Sequence, residues 1–135
     1  MPIVASGDVT RVDQDVPGNG GINDQDPAIT ILSNGGYAVA WYQEDASSFG
    51  RIYVRTYDAD GDPLGDQVLI ASVADPNGTG FLLYYPTIAA TQDGGFEVGF
   101  MDPGNYDYDW RVAAFDASGT LGAIVSVRDG AETDW

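Results

Sequence analysis

The sequence predicts an all-β protein built from two four-stranded antiparallel meanders, and three observations carry that expectation. A stretch beginning at Pro27 recurs at Pro86, 59 residues later. Apolar residues alternate with a period of two and nowhere with a period of 3.6, which is the strand signature rather than the helix signature. Among the acids there are 18 Asp against 3 Glu. Asp hydrogen-bonds its own backbone and favours turns, whereas Glu favours helices.

The repeat pairs Pro-Ala-Ile-Thr-Ile-Leu-Ser-Asn-Gly-Gly-Tyr-Ala-Val-Ala-Trp with Pro-Thr-Ile-Ala-Ala-Thr-Gln-Asp-Gly-Gly-Phe-Glu-Val-Gly-Phe. A unit of this length is one supersecondary element that cannot bury its apolar face alone. In the first copy the alternating runs are 28–32, 37–43, 51–57 and 67–71; in the second they are 87–91, 96–101, 110–115 and 123–127. Ser-Asn-Gly-Gly after the first run is a strong hairpin signal. The second run places Tyr37, Val39 and Trp41 on one face and Ala38 and Ala40 on the other. The third sets Arg51, Tyr53, Arg55 and Tyr57 against Ile52, Val54 and Thr56. Asp58-Ala-Asp-Gly then turns the chain into the fourth.

The echo also extends backwards. Val9, Pro17, Gly21 and Pro27 stand 59 residues before Val68, Pro76, Gly80 and Pro86. Within one domain, residues 1–26 therefore read as an extra fourth strand and its exit loop, 27–85 as the first repeat and 86–135 as the second. Short-turned meanders joined by a longer crossing loop are how β-propeller blades are written. A β-sandwich is the alternative. Ala38 and Ala40 suit the close approach of neighbouring blades, while Glu97 suits a face left to solvent.

The net charge is −16, with five Arg and no Lys, which argues against nucleic acid and anionic membrane surfaces as partners. With no Cys and no His, thiol nucleophiles, disulfides and the usual neutral-pH base are absent. No apolar run approaches the ~18 residues of a membrane span. The N-terminus lacks the basic flank and apolar core of a signal peptide. Acid pairs such as Glu44 with Asp45, or Glu97 near Asp93, resemble a glycosidase pair only as any crowded acids do. No catalytic residue is expected.

The pattern Pro-x-Ile-Ala, Asp/Asn-Gly-Gly-Phe/Tyr-x-Val-x-Trp/Phe and Tyr/Phe-Asp-Ala-x-Gly resembles tandem β repeats of large acidic secreted bacterial proteins of the repeats-in-toxin type. It covers about 27–127, although the calcium-binding nonapeptide of that class is missing here. The two-unit layout is similar to that of small propeller lectins, in arrangement and not in sequence. What these resemblances imply is an extracellular or particle-surface adhesion module.

Two loops carry the candidate chemistry. Asp58, Asp60, Asp62 and Asp66 place carboxylates on alternate residues of a tight loop, as calcium requires of its oxygen ligands; a turn that satisfies its own backbone is the other reading. The second copy keeps the turn as Asp116-Ala-Ser-Gly-Thr but loses three carboxylates. Asn105, Tyr106, Asp107, Tyr108, Asp109 and Trp110 interleave aromatics with carboxylates and an amide. Rings that stack on sugar C–H faces beside groups that bond hydroxyls suit a glycan, and equally a protein interface. The apolar run Phe81-Leu-Leu-Tyr-Tyr85 is expected to be buried against a neighbour. The expectation is a non-enzymatic module that binds a glycan or surface protein, with calcium as a possible cofactor, as a homo-oligomer or part of a larger array. A structural or receptor-binding protein of a phage-like particle or surface layer is the alternative.

Overall fold

The computed structural model describes residues 11–14, 23–44, 49–74, 84–102 and 109–127. Among them there is no helix, and none long and apolar enough to cross a membrane. Eight strands form: β1 (Asn23–Ile31), β2 (Tyr37–Glu44), β3 (Phe49–Tyr57), β4 (Val68–Ala74), β5 (Tyr84–Ala90), β6 (Phe96–Asp102), β7 (Asp109–Phe115) and β8 (Leu121–Ser126). They make two antiparallel meanders, sheet 1 in the order β1-β2-β3-β4 and sheet 2 in the order β5-β6-β7-β8. The expected extra fourth strand around Val9 lies outside the described residues. Residues 11–14 run without strand pairing.

One device builds all four described hairpins. At the first, the Leu32 amide donates to the Gly36 carbonyl at 2.8 Å and the Gly35 amide to the Leu32 carbonyl at 3.0 Å. The same pair of bonds closes the turns that start at Asp58, Thr91 and Asp116. In each, the fourth residue is a glycine with positive φ: Gly35, Gly61, Gly94 and Gly119, between 83° and 95°. This is a three-residue hairpin loop that needs one left-handed residue, which only glycine adopts without penalty. The second glycine of each Gly-Gly pair serves another purpose. A Cβ on Gly36 would stand 2.3 Å from the Tyr57 carbonyl oxygen, and one on Gly95 2.1 Å from that of Phe115.

β1 and β5 begin earlier than the alternation indicated, because each crosses a bulge. The ladder slips between Gln25 and Ala28 and again between Tyr84 and Thr87. At both slips the residue before proline is left-handed, Asp26 at φ 50° and Tyr85 at φ 52°. A proline is tolerated there because a bulge asks for no ladder N–H.

The sheets pack face to face through one apolar core. Ala38, Ala40 and Tyr42 of β2, with Ile52 and Val54 of β3, share it with Phe96, Val98 and Phe100 of β6 and Ala113 and Phe115 of β7. The backbones approach most closely where β5 lies against β1 and β2; β4 and β8 make no comparable approach. Two antiparallel meanders packed in this way are consistent with a blade-like or a sandwich arrangement.

The opposite face of sheet 1 has a smaller cluster of Val39, Trp41, Tyr53 and Tyr57, with Val12 packed against it. Residues 11–14 cross this face as a strap. The backbone amides of Gln14 and Gln67 each donate to the other's side-chain carbonyl, at 2.7 and 2.8 Å. Arg55 Nη1 donates to the Val12 carbonyl at 3.0 Å.

Gly95→Ala is expected to cost about 2–4 kcal/mol by forcing Cβ into a carbonyl. Gly94→Ala, which meets only the left-handed penalty, should cost about 1–2 kcal/mol. Urea melts check the order: the midpoint should fall further for Gly95→Ala, with the slope unchanged in both.

Candidate functional site

The four carboxylates proposed for calcium do not converge. Asp58 Oδ1 accepts the backbone N–H groups of Asp60 and Asp62, both at 2.9 Å. Asp66 Oδ1 instead accepts from Gln14 Nε2 at 3.1 Å, tying the loop to the strap. Among the described residues no three acids gather as a metal site. The second copy shows what the first aspartate does. Asp116 Oδ1 accepts the amides of Ser118 and Thr120 at 2.9 and 3.0 Å, with the Ser118 hydroxyl at 2.6 Å. One turn thus holds with four carboxylates or with one, because a single carboxylate bonds the backbone of the residues that follow it.

Bonds of this kind favour the ionised form. The Ser118 hydroxyl and the Thr120 amide hold Asp116 below the usual carboxylate range. The Thr91 hydroxyl and the Gly95 amide do the same for Asp93. Asp13, paired with Arg11 at 2.7 Å, is lowered chiefly by that guanidinium. Asp93 is thus engaged within its own turn. Asp45, the partner weighed for Glu44, lies outside the described residues.

Of the aromatic-acidic segment, Asn105, Tyr106, Asp107 and Tyr108 lie outside the described residues, while Asp109 and Trp110 open β7. They do not share a surface, because successive side chains on a strand point to opposite faces. Asp109 stands across from Asp102 on β6, whose Oδ2 is 3.1 Å from Arg111 Nε. The Asp109 Oδ1 atom is buried without a hydrogen-bond partner. Trp110 faces outward opposite Met101 and is 48% exposed. Its counterpart in the first repeat, Ile52, is fully buried in the shared core. The difference is one of neighbours: sheet 2 covers Ile52, and no described sheet covers Trp110. Beside Trp110, Val125 and Val127 of the same outer face are also exposed.

No protein-family model matches the chain, and no curated protein or solved structure matches it either. The site has to be judged on its own chemistry.

A concavity that no sequence motif marks lies under the strap. It measures about 170 Å³ and is lined by Val12, Asp13, Asp24, Gln25, Pro27, Val39 and Trp41. Trp41 stacks on Tyr53 at 5.9 Å, and its buried indole N–H has no acceptor. This slot depends on a contact between residues some 50 positions apart, joined by polar groups that leave no periodic trace. The run 81–85 is described only at Tyr84 and Tyr85. Tyr85 is 61% exposed, against the burial expected for that run, because the left-handed bulge turns it out of the sheet.

Asp58→Ala should lower stability by about 1 kcal/mol through loss of the turn bonds. Melting in EGTA and in millimolar calcium should show the same loss; a calcium-dependent midpoint would make the loop a metal site. The depressed carboxylates bind fewer protons folded than unfolded, so the stability they lend is complete above the ordinary aspartate pKa. It is lost as pH falls through and below that range. Thermal melts between about pH 6 and pH 2.5 should show a steepening acid loss, shallower in Asp116→Asn.

Proposed function

We propose that the chain is a non-enzymatic binding or adhesion module that meets a neutral glycan at the end of sheet 2 where β6 passes to β7. The observation that carries this reading is Trp110, half exposed on a flat sheet face where the equivalent residue is core. A rigid indole offers a sugar ring an apolar platform at low entropic cost, and its N–H remains available to a hydroxyl. Asn105 to Tyr108 adjoin it in sequence and supply amide, carboxylate and phenol groups. The strongly acidic surface favours a neutral or cationic ligand over an anionic one. The absence of His and Cys from the chain, and the use of Asp93 in a turn, favour binding over catalysis. An extracellular or particle-surface setting fits such a module. A structural role in a particle or surface layer is the second reading, and the outer face of sheet 2, which no described sheet covers, favours it.

A glycan array followed by titration calorimetry tests the proposal. Trp110→Ala should weaken the best saccharide at least about tenfold, since one stacked ring is worth more than about 1.4 kcal/mol. Its melting temperature should barely move, because the ring is exposed. A wild-type chain that answers no saccharide would end the glycan reading.

A further inference from the structure

The contact between the two sheets occurs once inside the chain, and the surfaces for a second such contact are present at its two ends. Inside, Ile88 of β5 packs against the shared core, to which Ala38 and Ala40 of β2 belong. The equivalent of Ile88 in the first repeat is Ile29, and it is 64% exposed; Ile31, on the same face of β1, is 75% exposed. At the other end, Thr87, Ala89 and Gly99 of sheet 2 stand where sheet 1 has Ala28, Thr30 and Ala40. With Glu97 and Val112 they line an open groove of about 240 Å³. The ring pair behind the knob is repeated as well. Phe96 and Phe115 stack at 4.8 Å with planes 5° apart, and Tyr37 and Tyr57 at 4.7 Å and 9°.

We infer that the outer groove of sheet 2 is filled by β1 of a second copy of this chain, entering with Ile29, Ile31 and Tyr37. The contact is head-to-tail and repeats the internal one.

Glu97 is the groove residue that departs from a small or apolar type, and the same operation accounts for it. It occupies the position of Ala38, which shares the internal core with Phe96, Ala113 and Phe115. On the docking face of a second copy those positions carry Tyr37, Arg55 and Tyr57, since Arg55 pairs with Val39 as Ala113 pairs with Val98. An acid and a base thus replace two alanines at positions that face one another. Arg55 is held for that role over the Tyr57 ring, 5.7 Å from its centroid, and donates to the Val12 and Gly65 carbonyls. The second copy's strap lies over Val39 and Trp41, the level that would otherwise reach Trp110, so Trp110 stays outside the contact. A head-to-tail contact closes into a ring or runs on as a filament.

Sedimentation equilibrium of the full chain in about 0.5 M salt tests this, since every copy carries a charge of −16 and screening to about 4–5 Å removes the repulsion. The wild-type mass should rise with concentration to at least twice that of one chain. Ile31→Asp and Ala89→Asp lie at exposed positions, one on each face, and each alone should stay at the mass of one chain with unchanged circular dichroism and melting. Their equimolar mixture should form a one-to-one dimer, because each supplies the face the other has lost. Glu97→Arg should weaken wild-type association at least tenfold. A wild-type chain that remains single up to about 1 mM overturns the inference. So does an Ile31→Asp chain that still associates, or a mixture that does not pair.

Discussion

How closely one sheet can approach the other is set on β2. Ala38 and Ala40 present almost no side chain, so Phe96, Val98 and Phe100 of β6 settle directly onto the first meander. Large residues at the two alanines would push the sheets apart and open the core along its whole length, because interiors at crystal-like density leave no slack to absorb them. The cover over Ile52 and the position of the β7–β8 turn both follow from that approach. The turn shows how tight it is: a Cβ on Gly119 would fall 2.6 Å from the Thr56 hydroxyl.

The two units share a plan and differ in their surroundings. Among the described residues, sheet 1 has sheet 2 on one face and the strap over Val39 and Trp41 of the other, whereas sheet 2 has a neighbour on one face. Equivalent positions therefore have different fates. Ile52 is core and Trp110 is surface; Ala38 is enclosed and Glu97 is exposed. On the outer face of sheet 2 the charged Glu97 and the large Trp110 replace Ala38 and Ile52, and both are exposed.

Most of the fold was legible because it is local. Alternation fixed which residues of β2 and β3 face the core, and the Asn-Gly-Gly and Asp-Ala-Asp-Gly signals marked turns whose geometry needs a left-handed glycine. The bulges before Pro27 and Pro86 were less visible, since a left-handed Asp or Tyr carries no compositional mark. The strap was invisible as such; reciprocal bonding of Gln14 and Gln67 joins residues far apart through side chains that suit any surface. The candidate site was legible in part. Asp109 and Trp110 read as one cluster because they are adjacent, but the start of β7 sends them to opposite faces. Trp110 shares its strand position with Ile52 but not its environment, because burial depends on what lies beyond the unit.

The paired bulges also bear on how chains can come together. β1 and β5 are edge strands, and an unbroken edge presents a row of free N–H and C=O groups on which any extended peptide can nucleate a fibre. Pro27 and Pro86 interrupt that row, and the left-handed residue before each kinks it. The β1 and β5 edges are thereby guarded against indiscriminate edge-on growth, which favours the sheet faces beside them as the route for association.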